Sequence, residues 1–576
     1  MIDSQSAVKL IIYYIQMINP NVITPKRNNL KRNGFPLGFE SYFSSPLGLL
    51  KPCYVQDVIP GDYLDVNVSN FTRTNTLNTA AFSRLNEEVN FFFVPMACVW
   101  RWFPNLITGM KEQHSSYCPD GTSVINSMPY ITGTQIATLL KKAGANDVDL
   151  FGFKLSFLFH RIINLLGFPC KALNGTSGHE LDKTLAIYDT TINANAPYAN
   201  VHLNPYRLYA YLHIYNDFYR NTQWEFLDAH NYNIDDIPAG GQIPDARLYS
   251  AFQTLAQCYA NMYKDQFTSV LPNALFSLPN QLQPALTALD SFAPPFTTNG
   301  VMSSASKSVV STPTNLTLSA QSIRALLATE KLSLLTNLAG KTFRDQLLAR
   351  YGELPSRTDM YECRWIGKFD SKIGIGEVTS TATATDNNGN ASRLGEVAGK
   401  GVGGSNGHFT FKAIDHGVII GIHTVRPNVC YDSSGIDHFN KVLDRSDFFQ
   451  PEYEDLGLEP LTADEVTDVE TLTPTTINNV MGYRARYSAY KSRVSRCYGQ
   501  FASDGINSSW VAPYRPRPLT MAGLFTYAKY KVCPLDLNSI CSVLYAGDDR
   551  FDQFLHHYRF DVKAVRNMSA FGIPHM

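Results

Sequence analysis

The clearest strand patterns of this chain lie near its two ends and are separated by several hundred residues. After the turn at Pro60-Gly61, residues 62–69 alternate between apolar and polar side chains, and residues 560–564 alternate in the same way. Residues 87–94 are rich in aromatic side chains, which is typical of a strand buried on much of both faces, and residues 417–425 are nearly all apolar and β-branched. Strands from distant parts of a chain pair in Greek-key barrels and jelly rolls, so the pattern predicts one all-β core.

The middle of the chain carries helical patterns. Asn204-Pro205 is a helix opening in which an N-cap residue precedes a proline, and apolar side chains then recur at helical spacing through Tyr219. Helices are predicted over 205–219, 323–338 and 342–352, with weaker patterns over 134–143 and 154–167. Two segments rich in small polar residues, 291–318 and 377–407, are predicted to be loops.

We therefore expect a mainly β fold in which one barrel carries long, partly helical insertions. The predicted division is an N-terminal arm over residues 1–48 and a single β domain over residues 49–576, of which about 104–410 is largely insertion and loops. Residues 21–48 are polar and contain three prolines, so this part of the arm is expected to be extended without a regular element.

The charge content limits the kinds of partner that the chain can bind. Charged residues make up only 17%, against roughly 25% in an average protein, which suits a surface that is covered by partners. The formal net charge of −1 excludes a dedicated, strongly basic nucleic-acid binder, so any DNA contact must be local. The local candidates are Lys26, Arg27, Lys31 and Arg32 in the predicted arm, which would touch phosphate or a neighbouring subunit, or form a solvated tail.

Cysteine usage and targeting signals exclude several protein classes. The ten cysteines are scattered without a C-x-x-C pair, which favours free thiols in a reducing cytoplasm over a disulfide framework or a zinc site. No apolar run approaches the roughly 18 residues of a transmembrane helix, so no membrane insertion is expected. Residues 10–15 resemble a weak signal-peptide core, but Asp3 precedes them and no cleavage site follows; translation from Met17 would omit them.

A search for catalytic motifs gives no convincing set. Residues 399–404 are glycine-rich and residues 403–407 match G-x-S-x-G, but a phosphate loop or a nucleophile elbow must open a helix, so a flexible loop is expected instead. His423 is interpreted as a core histidine, and the adjacent His556-His557 would point apart, away from a shared metal ion. The acidic pair Glu87-Glu88 is expected to be solvated or salt-bridged. We therefore predict no enzyme, no cofactor and no metal site.

Several segments, in order along the chain, resemble the major capsid protein of the Microviridae, in particular the gokushovirus-like branch and its relatives in Bacteroidetes hosts. The resemblance spans roughly residues 58–566, and residues 113–203 look longer than the corresponding family segment. The segments that carry it are VIPGD at 58–62, FFFVP at 91–95, IYNDFYR at 214–220, FTSVLP at 267–272, the helix at 326–335, HGVIIG at 416–421, FQPEY at 449–453, GYRARY at 482–487 and FDVKAVR at 560–566.

The resemblance implies a viral eight-stranded jelly roll with long inter-strand loops. It implies a virion protein, about 60 copies of which would form a T=1 icosahedral shell around a circular single-stranded DNA genome in the cytoplasm of a bacterial host. The implied partners are the chain itself, the genome, a small basic DNA-binding protein, a minor pilot protein and a host receptor. The alternative is a secreted or surface-bound all-β carbohydrate-binding protein, which a clear signal peptide or an Asp-rich calcium loop would favour; the sequence has neither.

Overall fold

The computed structural model contains one curled antiparallel sheet with a layer of helices beside it. It describes residues 32–75, 84–108, 127–145, 159–171, 179–272, 362–379, 397–466, 479–514, 531–532 and 552–568, apart from 434, 446, 503–504 and 512, together with positions 77, 82, 331 and 477. Apart from position 331, the helices predicted over 323–338 and 342–352 lie outside the described residues, as does the loop predicted over 291–318.

Among the described residues, the longer helices lie in the middle of the chain, between two groups of strands. The strands are β1 (Asn33–Pro36), β2 (Phe39–Ser45), β3 (Lys51–Val58), β4 (Tyr63–Thr74), β5 (Leu85–Pro95), β6 (Ile131–Thr132), β7 (His202–Leu203), β8 (Arg364–Thr379), β9 (Val397–Lys412), β10 (Gly417–Pro427), β11 (Cys430–Asp432), β12 (Leu458–Thr462), β13 (Val480–Ala485), β14 (Arg496–Cys497), β15 (Pro513–Tyr514) and β16 (Phe554–Arg566). The α-helices are α1 (Met96–Val99), α2 (Phe103–Thr108), α3 (Gly133–Ala145), α4 (His179–Tyr188), α5 (Tyr206–Ile214), α6 (Asp245–Thr254), α7 (Ala463–Val466) and α8 (Ser488–Lys491). Short π-helical segments cover Phe159–Ile163 and Tyr215–Tyr219, and 3₁₀ turns cover Asn164–Leu166, Ala229–Asn231, Leu255–Gln257, His438–Asn440, Pro451–Leu456, Gly499–Phe501 and Ser508–Trp510.

The main sheet runs in the order β1-β16-β4-β9-β8-β5-β10-β3, and β2 also pairs with β16. All of these pairings are antiparallel. Residues 563–566 of β16 pair with β1 and residues 554–560 pair with β2, so the two short strands follow one another along the same edge. Within the described part of the chain the sheet therefore has nine strands, one more than the resemblance implies.

The sheet curls until its two edges face each other. The Tyr54 ring on β3 lies 5.7 Å from the Phe39 ring on β2 and 5.0 Å from the Phe560 ring on β16. A twisted sheet of this size closes on itself because closure removes most of its exposed edge. The predicted mainly β jelly roll with long, partly helical insertions is confirmed.

The inside of the curl is filled by strands that alternate between core and solvent. On β16, Phe560, Val562 and Ala564 face the core while Asp561 and Lys563 face solvent, as the sequence pattern predicts. The same period of two holds along β4. Each fully buried Val, Leu or Phe side chain contributes about 1.5–3 kcal/mol to the stability of this core.

β5 and β10 are buried on both faces, as the aromatic residues of β5 and the apolar run of β10 predict. One face lines the inside of the curl, and the other packs against the helical layer. Tyrosines of α5 bind this layer to the sheet: the Tyr206 hydroxyl donates to the Val94 carbonyl and the Tyr211 hydroxyl donates to the Leu50 carbonyl, both at 2.7 Å. α5 opens as predicted, because Asn204 Oδ1 accepts the amide hydrogen bond of Tyr206 at 2.9 Å.

Two loop predictions are wrong. Residues 33–45, expected in an extended arm without a regular element, form β1 and β2. Residues 397–407, expected in a flexible loop, lie in β9, which also excludes a nucleophile elbow there. Glycine suits this strand because neighbouring side chains approach its backbone: a Cβ at Gly407 would lie 2.5 Å from Cδ2 of Phe369, and a Cβ at Gly401 would lie 2.5 Å from Cγ2 of Thr74.

Candidate functional site

Arg32 is the only residue of the predicted basic cluster among the described residues; Lys26, Arg27 and Lys31 lie outside them. Its guanidinium donates from Nε to Asn567 Oδ1 and from Nη2 to the Gly61 carbonyl, each at 3.0 Å. Arg32 thus holds the start of β1 against the turn before β4 and the end of β16. Contact of the cluster with phosphate or with a neighbouring subunit stays a prediction.

The aromatic patch is an exposed surface formed by Phe439, Leu443, Phe448, Phe449, Tyr453 and Tyr490. Their side chains are between 41% and 83% exposed. The Phe439 and Tyr490 rings meet edge to face at 4.9 Å, and the Arg486 guanidinium lies 5.7 Å from the centre of the Tyr453 ring. Exposed aromatic and aliphatic side chains that are concentrated in one region, as in residues 439–453 with Tyr490, are typical of a protein–protein interface. Sequence reasoning missed it because these residues lie in loops and in helical segments of at most six residues, which are too short to show a periodic pattern.

A buried carboxylate lies inside the curled sheet, surrounded by hydrogen-bond donors. We call Asn70, Thr72, Glu87, His423, His556 and Tyr558 the Glu87 cluster. Glu87 is fully buried and accepts from Thr72 Oγ1 at 2.8 Å, from Asn70 Nδ2 at 2.9 Å and from the Tyr558 hydroxyl at 2.5 Å. His423 Nε2 and His556 Nδ1 each lie 3.0 Å from Glu87 Oε1. The cluster therefore joins β4, β5, β10 and β16 at one point.

The Glu87 cluster keeps its charge despite burial. Burial alone opposes ionisation of Glu87, but the hydrogen bonds from His423 and His556 outweigh it and hold the Glu87 pKa below its usual range. Burial, followed by the proximity of His556, lowers the pKa of His423 to about 4, so His423 is neutral at pH 7. A fully enclosed carboxylate that is hydrogen-bonded to two imidazoles can fix the register of four strands but offers no access to a substrate.

The predictions for these acidic and histidine residues are partly right. His423 is a core histidine, although its Nδ1 has no hydrogen-bond partner among the described residues. Glu88 is salt-bridged to Arg426 and to Lys368, as expected for the acidic pair. Glu87 is not solvated, because β5 points it into the interior, where His423 and His556 are its histidine partners.

The remaining features of the described residues agree with the sequence. Their cysteines form no disulfides; they are Cys53, Cys98, Cys170, Cys258, Cys363, Cys430 and Cys497. No helix in the described ranges is long and apolar enough to cross a membrane.

Comparison with known proteins identifies the family. The chain matches the family described as capsid protein (F protein) over residues 25–156 and 183–576. Capsid protein VP1 of Bdellovibrio phage phiMH2K is 22% identical over 564 residues, which cover 91% of this chain and 92% of that relative. The unmatched residues 157–182 fall within the segment 113–203 that looks longer than its family counterpart.

The family match, the jelly roll and the exposed aromatic patch agree with one another. They favour a capsid role over a carbohydrate-binding role, and they confirm the resemblance found in the sequence. The chain belongs to the capsid protein (F protein) family of the Microviridae and is a structural, major capsid protein.

Proposed function

We propose that about 60 copies of this chain assemble into a T=1 icosahedral shell around a circular single-stranded DNA phage genome, in the cytoplasm of a bacterial host. The aromatic patch is the observation that carries this proposal, because six large apolar side chains exposed by 41% to 83% need a second copy to cover them. The role is structural and includes no catalytic step.

Electron microscopy of the purified protein tests the assembly directly. We expect closed icosahedral shells of uniform size. A folded monomer at all concentrations in analytical sedimentation would contradict the proposal.

Charges placed in the aromatic patch should block assembly without unfolding the subunit. We expect Leu443→Asp combined with Phe448→Asp to give a folded, soluble subunit that forms no closed shells, because two carboxylates would have to be desolvated in the interface. Leu443 is 83% exposed and Phe448 is 52% exposed, so the isolated fold should tolerate both changes. Sedimentation and electron microscopy give the assembly state, and circular dichroism gives the fold.

The matched control for the patch is Phe226→Asp. Phe226 is 89% exposed and does not belong to the patch, so this variant should assemble as the parent protein does. Normal shells from the double patch variant would rule out the patch as a subunit contact.

The genome and its packaging need positive charge that the shell does not provide. With a net charge of −1 per chain, the subunits cannot balance the phosphates, so counterions or a small basic DNA-binding protein must do so. We include that protein, a minor pilot protein and a host receptor among the partners, on the strength of the family membership.

The basic cluster should contribute a measurable salt dependence to DNA binding. Because Arg32 is already hydrogen-bonded to Gly61 and Asn567, we expect phosphate contact from Lys26, Arg27 and Lys31. Changing these three to Ala should flatten the slope of log K against log salt by up to about 2 for single-stranded DNA, whatever its base sequence. Binding titrations with two unrelated oligonucleotides over a range of salt concentrations measure this slope.

A control with the same loss of charge separates this effect from net charge. Lys372, Lys400 and Lys412 are exposed on β8 and β9, and their replacement by Ala should leave the slope unchanged. An unchanged slope in the arm variant, together with a lower yield of closed shells, would mean that the arm clamps a neighbouring subunit instead.

A further inference from the structure

Two thiols, an imidazole and a carboxylate from three distant segments meet beside the main sheet. Cys98 lies in α1, directly after β5, and Cys363 immediately precedes β8. His213 is the penultimate residue of α5, and Asp217 lies in the π-helical segment that continues it. Both cysteines belong to the buried cluster that packs the helical layer on the sheet. The spacing of the cysteines in the sequence conceals this meeting, because the chain has no C-x-x-C pair.

The donor atoms are close enough to share one cation. His213 Nδ1 lies 3.1 Å from Asp217 Oδ2 and 3.2 Å from Cys363 Sγ, and all three atoms lie within 4.8 Å of one another. The Cys363 side chain also contacts the side chains of Cys98 and Asp217. At zinc bond lengths of about 2.0–2.1 Å to N or O and about 2.3 Å to S, tetrahedral ligands lie roughly 3.3–3.6 Å apart. The two distances from His213 Nδ1 are within a few tenths of an ångström of that range.

The helix orients two of the donors. His213 and Asp217 are four residues apart, so both project from one face where the α-helix widens into a π-helical segment. Asn216 Nδ2 donates to Asp217 Oδ1 at 2.9 Å, which holds the carboxylate while Oδ2 faces His213. Hydrogen bonds of this kind to a ligand's second atom are a regular feature of metal sites.

We propose that Cys98, His213, Asp217 and Cys363 bind one zinc ion, which fastens the helical layer to the segments that follow β5 and precede β8. The donor set of two sulfurs, one nitrogen and one oxygen suits tetrahedral Zn²⁺. Binding releases the two thiol protons to solvent, and the histidine proton moves to Nε2 so that Nδ1 can face the ion. The His213 and Asp217 side chains are 11% and 20% exposed, which leaves the ion a path from solvent.

In the part of the chain that the structure describes, the Glu87 cluster is a second place where at least three possible metal ligands lie close together, and it is a weaker candidate. Glu87, His423 and His556 have fully buried side chains, and the two imidazoles already satisfy Glu87 Oε1. It offers no thiolate and no opening to solvent, so an ion bound there would add uncompensated charge to a closed interior.

The test begins with the purified full-length protein, dialysed with and without added zinc. We expect about one tightly held zinc per chain by elemental analysis. Replacement of zinc by cobalt should give the intense ultraviolet band of thiolate-to-cobalt charge transfer and the visible bands of tetrahedral cobalt. Absence of both the stoichiometric zinc and the thiolate band would overturn the proposal.

Variants locate the ion. Cys98→Ser and Cys363→Ser should each remove the thiolate band in part and lower zinc retention, and Asn216→Ala should weaken zinc affinity roughly tenfold by releasing the Asp217 carboxylate. Cys170→Ser is the matched control, because Cys170 is a partly buried free thiol outside the four-residue set, and it should retain the zinc.

Two further results would contradict the proposed zinc site. If both Ser variants keep their zinc, the ion lies elsewhere, as in the Glu87 cluster, and the proposal is wrong. If thiol titration of the unfolded, unreduced protein shows Cys98 and Cys363 joined in a disulfide, the site cannot bind zinc as proposed. Since these measurements need neither shells nor DNA, they are independent of the proposed assembly.

Discussion

Val562→Asp should leave the chain unable to form a stable jelly roll. Val562 is fully buried in the middle of β16, opposite Val66 of β4, inside an apolar cluster. An aspartate there would have to bury its charge or take up a proton, at a cost on the order of several kcal/mol. Because a typical domain is stable by only about 5–15 kcal/mol, we expect insoluble protein or a large loss of urea resistance.

The neighbouring residue provides the control for this substitution. Lys563 faces solvent, so Lys563→Asp should change the free energy of unfolding by no more than about 0.5 kcal/mol. Urea unfolding of both variants and electron microscopy of their shells measure the difference. Normal assembly of Val562→Asp would show that β16 presents its other face to the core.

Acid should destabilise the fold between about pH 6.5 and pH 4. Burial lowers the pKa of His423 from its usual 6.5 to about 4, so in this window the unfolded chain binds a proton that the folded chain does not. The stabilisation is therefore complete above pH 6.5 and is lost as the pH falls, by about 3 kcal/mol at pH 4. Glu87, whose pKa in the fold is held below its usual 4.5, adds to the loss as the pH falls below about 4.5, because the unfolded chain then binds a proton that the folded chain does not.

Urea unfolding of the subunit at a series of pH values measures this loss. His423→Gln keeps a donor towards Glu87 but cannot titrate, so its stability should depend less on pH in the same window. The matched control is His408→Gln, since His408 is half exposed and lies outside the Glu87 cluster. A midpoint that stays constant from pH 7 to pH 4 in the parent protein would contradict the assignment of a neutral, buried His423.

Strands whose apolar and polar residues alternate strictly are predicted well from the sequence, whereas segments without this alternation are predicted less well. The alternation at 560–564 correctly predicts which side chains of β16 face the core. Successive side chains of a strand point to opposite faces, so when one face is buried the apolar set must be the one that faces the core. The glycine-rich half of β9 resembles a loop in the sequence, because glycine has low strand propensity and only its neighbours Phe369 and Thr74 explain it. Local composition cannot reveal such contacts.

The sites depend even more on contacts between distant residues. In the sequence, Glu87 is one half of an acidic pair that is typical of a protein surface. Only the position of β5 between β8 and β10 shows that its side chain is buried. Cys98 and Cys363 are far apart in the chain, and their proximity to His213 follows only from the packing of α5 on the sheet. The basic cluster is different, because its positive charge is visible in the sequence. The hydrogen bond from Arg32 to the Gly61 carbonyl, however, is not indicated by any local pattern.

The position of β16 between β4 and the edge strands β1 and β2 imposes an order on synthesis and folding. Its residue Tyr558 pairs with Asn70 of β4, which is 488 residues earlier in the chain. Most of the chain must therefore be translated after β4 before β16 is available to pair with it. At about 5–20 residues per second, that delay is roughly 25–100 s. Closure of the barrel is thus a late event, and a nascent chain that has not reached β16 displays an unpaired β4 edge to every neighbouring nascent chain. Incomplete translation products of this protein should therefore aggregate through β4 instead of joining shells.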